Sequence, residues 1–264
     1  MRGPARQAAL VLSVAIAAGG ACAPRRPALP GGPASPFPDA AHAYVAAVQE
    51  CRGAKAMRAT LGLSGRAGSQ TLRGNLDGGF EAPDRVRLEM RAPIGRPIFI
   101  LAAADAGATL YLPRDNRVLR DAPAADIVEA LVGVPIGGAE LRALLSGCGF
   151  GVAEPEAGRA YSGGWLAVDT AGAATFLREI DGRWRVVAAS RPPLSVHYST
   201  FTGARPTALR LQASGPSVAD LTVRLSDVQI NVPLGPDVFA IDVPAAADPL
   251  TLEELRRAGP LGAS

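Results

Sequence analysis

Along most of the chain, apolar and polar residues alternate in short stretches, which is the pattern of β-strands that bury one face. In residues 85–91, for example, Val86, Leu88 and Met90 alternate with charged side chains. Asp181-Gly182 is a typical dipeptide of a tight hairpin between two such stretches. Strands are predicted at residues 57–64, 71–80, 85–91, 98–103, 108–112, 116–120, 160–170, 174–180, 184–189, 196–201, 207–213 and 219–231, with a last edge strand at Phe239 and Ile241.

Four other stretches show helical spacing. Residues 39–57, 124–132 and 139–146 place apolar residues on one face, and Gly147 ends the third stretch. Residues 251–258 begin at Thr251 and carry Glu254 three positions later, which is the spacing of a capping box. The whole pattern predicts a mainly β (α+β) protein, in which one long, curved antiparallel sheet is crossed by a few helices.

The N-terminus has the layout of a secretory signal peptide. Residues 1–21 combine a basic start, a short apolar run and a small-residue exit, and Cys22 follows where a lipoprotein signal peptidase would cut. Covalent diacylglycerol on Cys22 is therefore expected, with no other cofactor. Two alternatives remain open: a plain cut after Ala23, which Pro24 disfavours, and a retained anchor, for which the apolar run is short.

The remaining chain is expected to hold one domain. Residues 22–38 are rich in proline and glycine and predict a disordered tether behind the lipidated cysteine. Residues 39–246 form the predicted β domain, because no second linker of comparable length interrupts them. Residues 247–264 form a predicted C-terminal extension with a short helix.

Charge argues against nucleic acid as a partner. The chain has a formal net charge of +3, which falls to +1 without Arg2 and Arg6 of the signal peptide. A nearly neutral domain lacks the electrostatic footprint that binding to phosphate backbones needs.

Cys51 and Cys148 remain after Cys22 is assigned to the lipid. In an oxidising compartment they are candidates for a disulfide, and two buried thiols are the alternative. Metal binding is disfavoured, because neither cysteine has a neighbouring His or Cys in the sequence.

Catalytic motifs are weak throughout the sequence. His42 and His197 each stand alone, and a structural role is expected for both. No serine lies in the G-x-S-x-G motif of a nucleophile elbow. We therefore expect no enzymatic activity.

Several stretches occur in an order that resembles a known family. They are residues 85–95, residues 134–147 (VPIGGAELRALLSG), residues 181–187 (DGRWRVV) and residues 206–211 (PTALRL). From about residue 40 to about residue 245 the sequence is similar to the outer-membrane lipoprotein receptor family LolB, within the LolA/LolB-like fold. The resemblance implies an unclosed, strongly curved antiparallel β-barrel that is covered by helices and encloses an apolar cavity.

The resemblance also implies a function and a location. A receptor of this family is anchored in the outer membrane by its lipid and faces the periplasm. It takes acylated lipoproteins from a soluble periplasmic LolA-like carrier and inserts them into the outer-membrane lipid surface. The alternative is an envelope lipoprotein of the same fold that acts in assembly or binds another apolar ligand.

Two groups of site residues follow from the resemblance and the strand pattern. The family's protruding insertion loop corresponds to Pro93, Ile94 and Gly95, in which Ile94 takes the place of an apolar residue needed for insertion. The apolar cavity is predicted from inward-facing strand positions and from the helix at 139–146, although many of the same residues could be ordinary core. The candidates are Val86, Leu88, Met90, Ile98, Ile100, Leu110, Leu112, Leu141, Leu144, Leu145, Leu221, Val223 and Leu225.

Overall fold

One sheet of fifteen strands makes up most of the described structure. The computed structural model describes residues 29–92, 94–104, 107–215 and 218–259. The predicted signal peptide, Cys22 and Pro93 lie outside these residues. The strands are β1 (Ser35–Pro36), β2 (Ala56–Ala67), β3 (Gln70–Glu81), β4 (Arg85–Arg91), β5 (Phe99–Ala104), β6 (Gly107–Leu112), β7 (Arg117–Ala122), β8 (Pro155–Tyr161), β9 (Trp165–Thr170), β10 (Ala173–Ile180), β11 (Arg183–Arg191), β12 (Leu194–Thr202), β13 (Arg205–Ala213), β14 (Ala219–Ile230) and β15 (Asp248–Pro249).

The strand order shows an open sheet. It runs β1-β8-β9-β10-β11-β12-β13-β14-β2-β3-β4-β5-β6-β7-β15, and the two terminal strands are not paired with each other. All neighbours are antiparallel except β15, which pairs in parallel with β7. The predicted fold class, a curved and unclosed antiparallel sheet with helices on it, is confirmed.

Within the ranges that the structure describes, four helices accompany the sheet: α1 (Ala40–Arg52), α2 (Ala124–Val132), α3 (Gly138–Ser146) and α4 (Leu252–Ala258). Helix α1 packs on β8 to β11, whereas α3 packs on β3, β4 and β13. Helix α2 contacts β6 and α4. The apolar faces of α1, α2 and α3 join the concave side of the sheet in a single hydrophobic core.

The chain after β14 crosses the outer face of the sheet. A 3₁₀ turn at Pro236–Phe239 lies against β4 and β5, and Arg87 Nη1 donates hydrogen bonds to the carbonyls of Val238 (3.3 Å) and Ala240 (2.9 Å). The predicted edge strand at Phe239 and Ile241 is therefore wrong, because Arg87 holds this segment across the strands. The edge strand is β15, followed by α4 with the capping box that the sequence predicts.

Two further predictions differ from the structure. The single strand predicted at 160–170 is the hairpin β8–β9, because Gly163 and Gly164 both adopt positive φ values (76° and 73°) that turn the chain. Within the predicted tether, Ser35–Pro36 pairs with β8 as a short edge strand.

Candidate functional site

A wholly apolar cavity of about 90 Å³ lies between the concave face of the sheet and the helices above it. The strands form one wall of the cavity, and the α2–α3 region forms the opposite wall, which we call the roof. Its lining consists of Leu61, Leu63, Leu76, Leu88, Phe99, Val128, Leu131, Val132, Val134, Ile136, Leu141, Leu145, Leu211, Leu221 and Val223. Among the described residues, no polar side chain lines this cavity, so it offers an apolar ligand van der Waals contact and no hydrogen bond.

The roof has three parts, which we call the cover: α2, residues 133–137 and α3. Gly133 ends α2 with a positive φ of 76°, and a Cβ at this position would contact the Cβ atoms of Ala67 and Ala219. Gly138 begins α3 so near the carbonyl oxygen of Asp84 that a Cβ there would clash. The linking residues Val134 and Ile136 cross the cavity between these two points and are fully buried.

The C-terminal end of α3 is attached to the rest of the fold at two points. Cys148 forms a disulfide with Cys51 of α1, with a Cα–Cα distance of 5.6 Å. Tyr198 of β12 donates a hydrogen bond to the carbonyl of Leu144 (2.8 Å), and burial raises the pKa of its phenol. The cover is thus held firmly at the end of α3.

The structure brings only part of the predicted cavity together. Leu88, Leu141, Leu145, Leu221 and Val223 line it. The other eight predicted residues lie outside its lining. Five are buried elsewhere in the core: Val86, Met90, Leu110, Leu144 and Leu225. Ile98 and Leu112 are partly buried against the core, and Ile100 is not part of the core.

Ile100 differs because of its register. It pairs with Glu89 of β4 and Tyr111 of β6, whereas the neighbouring Leu101 pairs with Leu88 and Leu110. Adjacent residues of a strand point to opposite faces, so Ile100 lies on the outer face. The assignment of Ile100 to the cavity is corrected accordingly.

Several lining residues were missed by sequence reasoning. Leu61 and Leu63 have the alternating pattern that would have identified them. Val134 and Ile136 resembled a plain turn, because Pro135 and two glycines surround them. Only the folded chain shows that this turn crosses the cavity.

The loop between β4 and β5 presents an apolar side chain to solvent. Ile94 is 91% exposed, which is unusual for isoleucine. Arg91 and Arg96, both exposed, lie on either side of it in the chain. The β13–β14 connection leaves the sheet at the same rim, and there Val218 is 56% exposed.

The two histidines lie apart from the cavity. His42 is exposed on α1, and His197 is half-buried on β12, where burial lowers its pKa. Throughout the described residues, no three His, Cys, Asp or Glu side chains cluster as a metal site would require. No helix within the described ranges is both long and apolar enough to cross a bilayer.

Comparison with known proteins gives structural relatives only. No protein-family model matches this sequence, and no curated protein matches it. Among solved structures, a DUF1329 family protein from Desulfovibrio piger is similar at 11% identity and a TM-score of 0.50, over 75% of this chain and 96% of that chain. This likeness shows a shared fold.

Two further solved structures are similar at lower scores. A LolA superfamily protein from Nitrosomonas europaea has 10% identity and a TM-score of 0.48, over 75% of this chain and 94% of that chain. The lipoprotein LppX from Mycobacterium tuberculosis has 10% identity and a TM-score of 0.34, over 75% of this chain and 99% of that chain.

Proposed function

We propose that this protein is a LolB-like receptor, anchored by a lipid on Cys22 in the outer membrane and facing the periplasm. It would bind the acyl chains of lipoproteins in the apolar cavity and help to insert them into the outer membrane. The observation that carries the proposal is a cavity lined only by apolar side chains, from both the sheet and the cover. Such a site needs no catalytic group and no cofactor.

The driving force is the hydrophobic effect. At ~0.8 kcal/mol per methylene, a 16-carbon chain in water is unfavourable by on the order of 12 kcal/mol. An apolar groove offsets much of this free energy, and a bilayer offsets more. Transfer from a periplasmic LolA-like carrier to this protein and then to the membrane would need no nucleotide, because each acceptor would bind the acyl chains more tightly than the donor does.

Binding requires the cover to move. The cavity of about 90 Å³ is far below the roughly 300–1,000 Å³ of ligand pockets. Gly133, which ends α2 with a positive φ of 76°, provides a place where the α2 side of the cover can pivot while the end of α3 stays attached. Val128, Leu131 and Val132, which line the cavity, would then move with α2.

Ile94 is the proposed membrane contact. Its exposed side chain would enter the headgroup region, while Arg96, two residues further along the loop, would face anionic lipid phosphates. Insertion of this loop would bring the cavity to the membrane and help release the acyl chains.

The test is binding of a fluorescent fatty acid, cis-parinaric acid, and its displacement by a synthetic triacylated lipopeptide. Val223→Phe enlarges a cavity-lining side chain. It is expected to weaken binding at least about tenfold, which corresponds to ~1.4 kcal/mol. Val45→Phe makes the same change on the exposed face of α1 and should bind as the parent protein does.

The small cavity volume favours one alternative, a lipid-anchored assembly module of the same fold with no acyl cargo. In that case the folded protein would bind neither probe, and mass spectrometry of the purified protein would find no lipid. Loss of binding in Val223→Phe but not in Val45→Phe would contradict this alternative.

A further inference from the structure

A second pocket, which we call the charged pocket, lies on the side of α3 that faces away from the apolar cavity. Its volume is about 370 Å³ and it is open to solvent. The apolar cavity takes Leu141 and Leu145 from α3, whereas the charged pocket takes Glu140 and Arg142. One helix therefore separates two sites of opposite character.

The lining of the charged pocket carries a strong excess of positive charge. Arg52 ends α1, Lys55 follows it, Arg142 lies on α3 and Arg191 ends β11. Glu140 is the only carboxylate in the lining. Four cations facing one carboxylate stand out in a chain whose formal net charge is only +3.

Two of these guanidinium groups are held in place by the fold. Arg142 donates hydrogen bonds to the carbonyls of Lys55 (3.3 Å) and Pro83 (3.2 Å). Arg191 lies over the ring of Phe150 at 4.8 Å, with its Nη2 2.5 Å from Glu140 Oε1. The pocket wall is also tied together by the disulfide of Cys148, so a ligand would meet an organised site.

The positive charge is poorly compensated. Within the described residues, Arg52, Lys55 and Arg142 make no salt bridge. Burial lowers the pKa of Arg142, and the negative charge of Asp84 opposes this shift in part. An anion in the pocket would stabilise this half-buried guanidinium group.

We propose that the charged pocket binds a phosphate ester. A phosphate presents several oxygens and at least one negative charge, which matches cations that converge from α1, α3 and β11. The ester can come from a soluble phosphorylated compound or from the headgroup of a phospholipid. The site does not depend on the apolar cavity, because the two share no lining residue.

The experiment uses a probe without an acyl chain. Glycerol 3-phosphate is titrated into the purified protein by calorimetry, beside the variant Arg52→Gln/Lys55→Gln. Both substituted side chains are exposed, so the variant should fold. The matched control is Arg183→Gln/Arg205→Gln, which also removes two exposed cations that have no salt bridge among the described residues.

We expect saturable binding that weakens at least about tenfold in the pocket variant and less than about twofold in the control. Co-sedimentation with phosphatidylcholine vesicles, with and without phosphatidylglycerol, then shows whether the bound phosphate ester is a phospholipid headgroup or a soluble compound. A loss of the phosphatidylglycerol-dependent binding in the pocket variant alone assigns the site to headgroups. Vesicle binding that is the same in both variants assigns it to soluble esters.

Two results would overturn the proposal: no binding of glycerol 3-phosphate, or an equal loss in the pocket variant and the control. Neither result depends on parinaric acid binding, so failure here leaves the acyl-chain proposal separately tested.

Discussion

The hydroxyl of Tyr198 lies 2.8 Å from the main-chain carbonyl oxygen of Leu144 and donates a hydrogen bond to it. The same hydroxyl accepts a hydrogen bond from the N–H of Gly149 at 3.2 Å. Leu144 lies in the last turn of α3, and the only other donor to its carbonyl among the described residues is the N–H of Gly147, at 3.2 Å. A buried side chain of the sheet therefore satisfies two main-chain groups at the end of the cover.

Tyr198→Phe should lower the free energy of unfolding by about 1–3 kcal/mol, because it leaves the buried N–H of Gly149 without its acceptor and leaves the carbonyl of Leu144 with the N–H of Gly147 alone, at 3.2 Å. Urea denaturation measures the change. Tyr111→Phe is the control, since it removes a hydrogen bond only to the side chain of Asn116. Equal stability losses in the two variants would contradict this role of Tyr198.

The disulfide between Cys51 and Cys148 should be a major contributor to stability. It closes a loop of 97 residues, and a loop of this size is worth about 2–5 kcal/mol in the chain-entropy model. We expect a reductant to lower the melting temperature of the protein and to have no effect on Cys51→Ala/Cys148→Ala. An unchanged melting temperature after complete reduction, verified by thiol titration, would contradict the expectation.

Local patterns in the sequence predicted much of the fold. In β4, charged residues separate Val86, Leu88 and Met90, so alternation alone identified the buried face. In β5, residues 98–104 are apolar at every position, and periodicity cannot choose between Ile100 and Leu101. The pairing of Leu101 with Leu88 and Leu110 makes that choice, and it is a long-range property.

The C-terminal segment shows the same limit. The capping box of Thr251 and Glu254 predicted α4 correctly, because a capping box is local. That α4 packs on α2 of the cover depends on contacts between distant parts of the chain, such as the ion pair between Arg256 and Glu129 at 3.9 Å. Nothing in the short-range pattern of residues 247–264 indicates this partner.

Glu254 should give the stability of α4 a distinctive dependence on pH. The N–H of Thr251 donates to its carboxylate at 2.8 Å, and with Arg117 this hydrogen bond lowers the pKa of Glu254 to about 2. The unfolded value is about 4.3, so the stabilisation is complete above that pH and is lost as the pH falls towards 2.

The difference in free energy of unfolding between the parent protein and Glu254→Gln should therefore become smaller as the pH falls from about 4.3 to about 2. Glu253→Gln provides the control, because in the described part of the chain Glu253 pairs only with Arg257, on the exposed surface. A pH-independent difference for Glu254→Gln would contradict the role of its carboxylate.

The exposed Ile94 should be needed for delivery to the membrane and not for binding of cargo. Ile94→Glu places a charge where the proposal puts the headgroup region, so lipoprotein transfer to vesicles should fall at least about tenfold. Parinaric acid binding should be unchanged, because Ile94 is 91% exposed and does not line the cavity.

Two variants serve as controls for this prediction. Ile94→Leu keeps an apolar side chain and should deliver lipoproteins normally. Val45→Glu, at a 52% exposed position on α1, controls for an added surface charge. Normal delivery by Ile94→Glu, or an equal defect in Val45→Glu, would contradict the proposed role of the β4–β5 loop in delivery to the membrane.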